Sequence, residues 1–323
     1  MEHLLHIGVM ICLYAILATS FNILIGFAGL FAFGHAVFYA SGAYVTTLAT
    51  MSLGLPFPLP LLLSVAATGL LGLAVALPSL RVSGIYLVIT TLALQVIAVD
   101  ILINMTDITG GPSGISGIPP LRILGHAFNG PARFLPIAFL AAVVVFAIAW
   151  QIGNSPFGRA LKAIRENESA AASVGKDVVY AKVAAFGAAA AMAAVAGSLF
   201  AHYFSYIGPD SFQIGETVLI LSMVVVGGTG NLAGSVLGAV ILVLLPEALA
   251  FLDLPQRVAG QLRVMFYGIV LILFLVFRPE GLLRETRVAA RKLRASTGGA
   301  SYSPSSAAGA DGDGPQLEGK GLQ

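Results

Sequence analysis

Long apolar runs separated by short polar segments account for most of this 323-residue chain. Each run is close to the roughly 20 residues that a helix needs to cross the hydrocarbon core of a bilayer. The runs are continuous and lack the alternation that transmembrane β-strands show over about ten residues. The pattern therefore predicts an all-α fold, a polytopic transmembrane helix bundle of about nine spans, with a range of eight to ten. The predicted spans cover residues 4–25, 33–53, 57–77, 84–105, 133–152, 180–204, 214–228, 231–252 and 261–277.

The second predicted span differs from the others in composition. Residues 26–55, which contain it, are rich in Gly, Ser and Thr. Irregular backbone at membrane depth is tolerated only where it is buried in protein or lines a cavity. We therefore expect the second span to be broken or partly re-entrant.

The overall composition agrees with a membrane protein. Hydrophobic residues make up 58% of the chain, charged residues make up 10%, and the mean hydropathy is +0.93. Soluble domains carry about 25% charged residues, so that class is excluded. The single cysteine, Cys12, excludes an intrachain disulfide and a zinc site built from several cysteines. We expect neither a metal nor a cofactor.

Residues 154–182 form the only long charged stretch before residue 277. Ser155 can cap a helix and Pro156 suits its first turn. The spacing predicts a short amphipathic helix, and then an Ala-rich helix that stops at Gly175. Such a segment can lie on lipid head groups or dock onto a soluble partner. The residues alone leave both interpretations open.

Lys and Arg residues predict the orientation of the chain, because they are enriched in cytoplasmic loops. By this rule both residues 155–182 and the basic stretch 278–294 are cytoplasmic. The chain then divides into a transmembrane domain, residues 1–295, and a C-terminal tail, residues 296–323. The tail is rich in Ser, Gly, Ala, Pro and Asp, which predicts disorder.

Two glycine-containing stretches superficially resemble nucleotide-binding motifs. Residues 314–321 lack the Ser or Thr of a phosphate loop and lie in the low-complexity tail. The stretch that begins at Gly228 joins two apolar spans and has no βαβ context. Gly230, Gly234 and Gly238 recur every four residues, a spacing that lets helix backbones approach closely. We predict that these three pack helices together; the alternative is that they line a path through the membrane.

Several polar residues lie inside predicted spans. They can line a path for a zwitterion, or they can hydrogen-bond neighbouring helices together. Asp100 is a separate case, because a carboxylate at the bilayer centre costs about 2.5–3.5 kcal/mol on insertion scales. We expect it to face protein or water. The candidate path residues are Asn22, His35, Thr90, Thr91 and Gln95.

The charged stretch also carries a resemblance to a known family. Residues 168–175, ESAAASVG, resemble the E-A-A…G loop of bacterial ABC importer permeases. This loop and its flanks are similar to the branched-chain amino acid ABC transporter permease family, and most of all to the M-type subunit of the high-affinity leucine/isoleucine/valine importer. Other matching stretches run in order from Phe21 to Leu283. They are FNILIGFAGLFAFGHAVFYASGAY, ITGGPSGISGIP, SPFGRALKAIRENESAA, AGSLFAHYFSYIGPDSF, VVVGGTGNLAGSVLGAV and FRPEGLL.

This resemblance implies a function. The chain would be a permease subunit, not an enzyme, in the bacterial inner membrane, with leucine, isoleucine and valine as cargo and ATP hydrolysis on a separate subunit. The implied partners are a second related permease subunit, two ABC ATPase subunits, an external substrate-binding protein and membrane lipid, with no nucleic acid. Residues 155–182 would form the cytoplasmic coupling helices. The residues implied to contact the ATPase are Arg159, Leu161, Ile164, Arg165, Glu168, Ala170, Ala171 and Gly175.

Other functions remain as alternatives. Similar permeases serve urea, short amides or other small acids. A self-sufficient secondary transporter would need coupling-ion residues near the bilayer midplane, and Asp100 is the one candidate. An intramembrane enzyme ranks last, because no G-x-S-x-G or H-E-x-x-H motif is present. Residues 106–132 are expected outside, either as a connector or as a rim for the external binding protein.

Overall fold

Eleven α-helices and four short strands make up the part of the chain that the computed structural model describes, residues 1–79, 82, 84–123, 126–128, 130–250, 265, 268–269, 272–273 and 281–283. The helices are α1 (Glu2–Asn22), α2 (His35–Ser52), α3 (Leu59–Ser79), α4 (Ile85–Asn104), α5 (Thr106–Thr109), α6 (Pro131–Asn154), α7 (Pro156–Glu166), α8 (Glu168–Ser173), α9 (Val178–Phe204), α10 (Ile214–Gly227) and α11 (Leu232–Ala250). The strands are β1 (Ile115–Ser116), β2 (Arg122–Ile123), β3 (His126–Ala127) and β4 (Tyr206–Ile207).

The predicted spans agree with the observed helices. The first eight coincide with α1, α2, α3, α4, α6, α9, α10 and α11, whereas the ninth and the C-terminal tail lie almost wholly outside the described residues. Six helices in the described part are long and apolar enough to cross a membrane. The all-α membrane bundle is therefore confirmed. The six are Glu2–Phe27, Leu59–Pro78, Ile85–Asn104, Pro131–Asn154, Val178–Phe204 and Pro209–Gly227.

The prediction that the second span is broken or re-entrant was wrong. α2 runs without interruption, and the irregular backbone precedes it. The first helix ends in a π-helical segment, Ile23–Phe27, and residues 28–34 are not helical. The Gly-rich composition indicated irregular backbone, but three of its glycines (Gly26, Gly29 and Gly34) lie before α2 rather than inside it.

α9 lies at the centre of the bundle and packs against α2 and α3 through small residues. A Cβ added at Gly42 of α2 would lie 2.5 Å from the Cα of Ala194. A Cβ added at Gly72 of α3 would lie 2.5 Å from the Cβ of Ala190. Small residues at helix interfaces let backbones approach closely, which is how helices gain packing energy inside a bilayer. The Ala-rich sequence of α9 thus sets the spacing of the core.

Other helices turn apolar faces outward. Of the most apolar part of α1, 78% is buried, compared with 17% for α4 and 22% for α6. On α4 the side chains of Ile85, Tyr86 and Ile89 are 69%, 67% and 57% exposed. Such faces suit lipid or another membrane-embedded subunit.

The loop between α4 and α6 is held by short strand pairs. β1 pairs with β4 antiparallel, with Ile115 opposite Ile207, and β2 pairs with β3. Gly114 has φ +66°, and a Cβ there would collide with the carbonyl oxygen of Ile207. The Gly-rich sequence therefore allows this loop to lie flat against the segment that follows α9.

The close approach of α2 and α9 leads to a first prediction. Gly42→Ala should lower the free energy of unfolding by about 1–3 kcal/mol, as overpacking of a tight contact does. The measurement is the thermal midpoint of the purified protein in detergent. Gly215→Ala in α10 is the matched control, because no atom lies within 4 Å of the added Cβ, and its midpoint should stay the same or rise. Equal midpoints for the two variants would contradict this packing.

Candidate functional site

The charged stretch folds into two short helices joined at a sharp turn, which we call the α7–α8 hairpin (residues 155–177). Ser155 caps α7, its Oγ accepting a hydrogen bond from the Gly158 N–H at 3.2 Å, and Pro156 occupies the first turn. Asn167 caps α8 in the same way, through the N–H of Ala170 at 2.9 Å. The sequence prediction of two short helices is confirmed.

A glycine ends the hairpin where one was predicted. Gly175 has φ +77°, a left-handed conformation that glycine adopts without steric cost. The chain then turns into α9, whose first turn is capped by Asp177 through the N–H of Tyr180 at 2.9 Å. Strong caps at each end hold the hairpin in a defined shape outside the long apolar helices.

The predicted coupling residues fall into two sets. Leu161, Ile164 and Ala171 are buried against the bundle, at 0%, 4% and 4% exposure, and Arg165 is half-buried. The buried residues attach the hairpin to the membrane helices and leave the remaining ones to face outward. The exposed predicted residues are Arg159, Glu168, Ala170 and Gly175.

The prediction missed three exposed apolar residues beside Gly175. Val174, Val179 and Tyr180 are 77%, 59% and 67% exposed. Together with Ala170 and Gly175 they form what we call the outward surface of the hairpin, which includes Val179 and Tyr180 from the first turn of α9. The signal was present in the sequence, since these are large apolar residues in the charged stretch 154–182, but their exposure is seen only in the fold.

An ion pair ties α8 to α9. The Lys182 ammonium lies 2.7 Å from a carboxylate oxygen of Glu168, with the side chains 11% and 55% exposed. The carboxylate of Glu168, expected to face a partner, thus also binds its own chain.

A second link joins the hairpin to the π-helical segment of the first span. The Arg165 guanidinium donates a hydrogen bond to the carbonyl oxygen of Gly26 and lies 3.9 Å from the carboxylate of Glu166. One turn earlier on α7, the Lys162 ammonium lies 4.7 Å from the centroid of the Phe27 ring. The hairpin therefore contacts the membrane bundle at its irregular point.

A cavity of about 490 Å³ lies beside this contact. It is lined by residues 29–31 of the first span, by Leu87 and Val88 of α4, and by Arg165 and Lys182 of the hairpin region. Irregular backbone that lines a cavity is one of the two situations in which a membrane protein tolerates it.

Asn22, a candidate path residue, is used to hold helices together. Its Nδ2 donates to the carbonyl oxygen of Asn231 at 3.0 Å and to Ser235 Oγ at 2.6 Å. Its Oδ1 accepts from the N–H of Gly230 at 2.8 Å. All of its polar atoms have partners in the turn before α11 or in α11 itself, so it joins the first span to α11.

His35 is fully buried at the start of α2. Its Nε2 lies 2.9 Å from Ser20 Oγ, and its ring stacks on Phe21 with centroids 4.5 Å apart. Its Nδ1 has no hydrogen-bond partner among the described residues.

On α4, Leu87, Thr91 and Gln95 are buried on one face. Gln95 Nε2 donates to the carbonyl oxygen of Phe212 at 2.6 Å, while its Oε1 has no partner among the described residues. Thr90 lies off this face, is only partly buried and donates to its own helix. The structure therefore does not group Thr90 with the other candidates.

The three predicted packing glycines lie where α10 and α11 meet or at the turn between them. A Cβ at Gly234 would collide with the carbonyl oxygen of Gly227, and one at Gly238 with that of Met223. Gly230 lies in the turn itself, with φ +84° and its N–H bound to the Asn22 side chain. In the described part of the chain no three His, Cys, Asp or Glu residues are grouped as metal ligands would be.

Comparison with known proteins identifies the family. The family model for the branched-chain amino acid transport system, permease component, matches residues 3–275. The chain belongs to this family. It is a transport permease, and it is a multi-pass protein of the bacterial inner membrane.

Individual proteins are also similar to this chain over much of its length. The high-affinity branched-chain amino acid transport system permease protein LivM of Salmonella typhimurium is 35% identical over 87% of this chain and 70% of that protein. A probable branched-chain amino acid transport permease protein LivM of Methanocaldococcus jannaschii is 28% identical over 84% of this chain and 91% of that protein. The autoinducer 2 import system permease protein LsrC of Yersinia pseudotuberculosis is 33% identical over 56% of this chain and 50% of that protein. No solved structure matches this chain.

The ion pair of the hairpin gives a second prediction. Glu168→Lys should speed hydrogen–deuterium exchange in α8, because it sets a cation against Lys182. A partly exposed pair contributes about 1 kcal/mol or less, so the acceleration should stay below about tenfold. The charge swap Glu168→Lys with Lys182→Glu is the matched control and should restore slow exchange. If the swap exchanges as fast as the single variant, the pair does not hold α8.

Proposed function

We propose that this permease forms part of the membrane path of an ABC importer for leucine, isoleucine and valine, driven by ATP hydrolysis on a separate soluble subunit. The cargo is inferred from the relatives named as branched-chain amino acid permeases. The observation that carries the coupling part is the outward surface of the α7–α8 hairpin. It is apolar, exposed and mounted on a capped segment outside the long apolar helices.

Burial of one face of α7 favours a protein partner over lipid. A helix that lies on a bilayer inserts its apolar face among the acyl chains. In α7 that face, which includes Leu161 and Ile164, is already covered by the bundle. The apolar residues that remain, Val174, Val179 and Tyr180, surround a tight turn. These exposed apolar residues suit a groove on a soluble ATPase, and the exposed charged residues Arg159 and Glu168 of the hairpin can form charge-assisted contacts with such a partner.

The proposed assembly contains more than one other chain. It comprises a second related permease subunit, two ABC ATPase subunits and an external substrate-binding protein, as the family resemblance implies. The exposed apolar faces of α4 and α6 are available to lipid and to the second permease. The loop between α4 and α6, held flat by the β1–β4 pair, is available to the binding protein on the outer side.

We assign the cargo path to His35, Thr91 and Gln95 among the candidate residues. His35 and Gln95 each keep one fully buried polar atom without a partner among the described residues. A buried polar atom without a partner is costly unless water or a ligand pairs with it. Thr91 is included because it lies on the same buried face of α4 as Gln95. Asn22 is left out because its partners all belong to α11 or the turn before it, and Thr90 because it lies off the buried face of α4.

Other cargo remains the second candidate. The relative named as an autoinducer 2 import permease aligns over 56% of this chain, so the family serves more than one solute. A secondary transporter has less support, because Asp100 is exposed near the end of α4 rather than buried at the centre of the bundle.

The third prediction concerns cargo. Cells that lack this chain should lose uptake of labelled leucine, and in cells that contain it unlabelled isoleucine and valine should compete while urea should not. Unchanged leucine uptake would contradict the proposed cargo and indicate another small solute, whereas membership of the permease family would not be affected.

The fourth prediction concerns the outward surface. Val174→Glu should reduce uptake by about fivefold or more, because interface anchors contribute more than about 1 kcal/mol each. The level of the chain in the membrane should not change, since Val174 is 77% exposed. Val174→Leu keeps an apolar side chain and should transport normally. Equal uptake by both variants would argue against docking at this surface.

A further inference from the structure

We infer that Arg165 is a positioning residue that transmits movement of the α7–α8 hairpin to the irregular segment between α1 and α2, residues 23–34, which we call the break. This inference rests on the proposed function, since it takes the hairpin to be what the ATPase moves. It adds the route by which that movement reaches the helices that surround the cargo path.

Arg165 holds the break at two points. The end of its side chain binds the carbonyl oxygen of Gly26. Its stem lies against Gly29, where a Cβ would come within 2.6 Å of Arg165 Cγ. Gly29 also has φ +69°, a conformation that favours glycine. The side chain therefore spans the break from its π-helical part to its non-helical part.

The π-helical hydrogen-bond pattern explains why the Gly26 carbonyl is open to Arg165. In a regular α-helix the N–H of Leu30 would bind that carbonyl. Here the Leu30 N–H binds the carbonyl of Leu24 at 2.8 Å, and the Ala28 N–H binds that of Ile23 at 3.1 Å. A carbonyl freed in this way needs another donor in a low-dielectric setting, and the guanidinium supplies it from the hairpin.

Phe27, the last residue of the π-helical segment, has two further contacts, one with the hairpin and one with α6. The Lys162 ammonium lies over the Phe27 ring, one turn from Arg165 on α7. On the opposite side Phe27 abuts the end of α6, where a Cβ at Gly153 would lie 2.9 Å from the ring. A displacement of α7 thus meets Phe27 and Gly26 directly.

Residues at and next to the two ends of the break contact α11, α4 and α1. Asn22, the residue before the π-helical segment, binds the turn before α11 and α11 itself. The N–H of Phe33 donates to Thr91 Oγ1 on α4 at 2.9 Å. His35, just beyond the break, begins α2 and contacts Ser20 of α1. The break is therefore the segment through which the hairpin reaches α4 and α11, and Thr91 belongs to the proposed path.

Arg165→Gln removes the charge and the fork of donors, so it tests this route. The reporter is Phe31→Cys, which is 48% exposed and lines the cavity beside Arg165, in a Cys12→Ala background. The assembled complex, purified with its native ATPase subunits, is labelled with a maleimide without nucleotide and after trapping with ATP and vanadate. With Arg165 present, the two labelling rates should differ by at least about fivefold, within the usual range of coupling between sites.

In Arg165→Gln the two rates should become equal, and Arg165→Lys, which keeps the charge, should restore part of the difference. Arg133→Gln is the matched control, because Arg133 is an exposed residue of α6 outside the hairpin and the break; it should respond as the parent does. A full nucleotide response at Phe31→Cys in Arg165→Gln would overturn the inference.

A second reporter separates this inference from the proposed function. Val174→Cys on the outward surface should be protected from the maleimide by the ATPase, with or without Arg165. Protection at position 174 together with loss of the response at position 31 supports transmission through Arg165. No protection at position 174 would remove the docking proposal, whatever happens at position 31.

Discussion

A buried backbone group without a hydrogen-bond partner is costly, so the irregular stretch at residues 23–34, most of which is buried, must be satisfied from within the protein. The side chains that do so come from different elements. Arg165 of α7 binds the Gly26 carbonyl, and Thr91 of α4 accepts from the Phe33 N–H. Just beyond the stretch, in the first turn of α2, Thr217 of α10 accepts from the Ala36 N–H at 3.3 Å. This stretch and the start of α2 therefore bring the α7–α8 hairpin, α4 and α10 to one place.

The rest of the bundle is organised to keep this arrangement tight. Small residues bring α9 against α2 and α3, and glycines bring α11 against α10, so that the inner helices pack almost backbone to backbone. The outer helices α4 and α6 keep apolar faces toward their surroundings. A bundle with close inner contacts transmits displacement, whereas its outer surface can slide against lipid or against a second subunit.

Sequence reasoning predicted the features that follow from local chemistry. Span positions follow from apolar length, the α7 start from Ser155 and Pro156, and the α8 end from Gly175. It did not place the break, because a Gly-rich composition indicates irregular backbone without saying on which side of His35 it falls. It also did not pair Glu168 with Lys182 or Arg165 with Gly26, which lie 14 and 139 residues apart. Such contacts depend on how the helices pack, and no local pattern encodes them.

In the proposed function, the outward surface of the α7–α8 hairpin receives a soluble ATPase. The most direct measurement is photo-crosslinking from position 174, with a benzophenone amino acid placed there in the assembled complex in native membranes. The account predicts an adduct between this chain and the ATPase subunit, and a change in its yield when ATP is trapped. Adducts with lipid alone, and none with a soluble subunit, would contradict the account and make the hairpin a membrane-surface element.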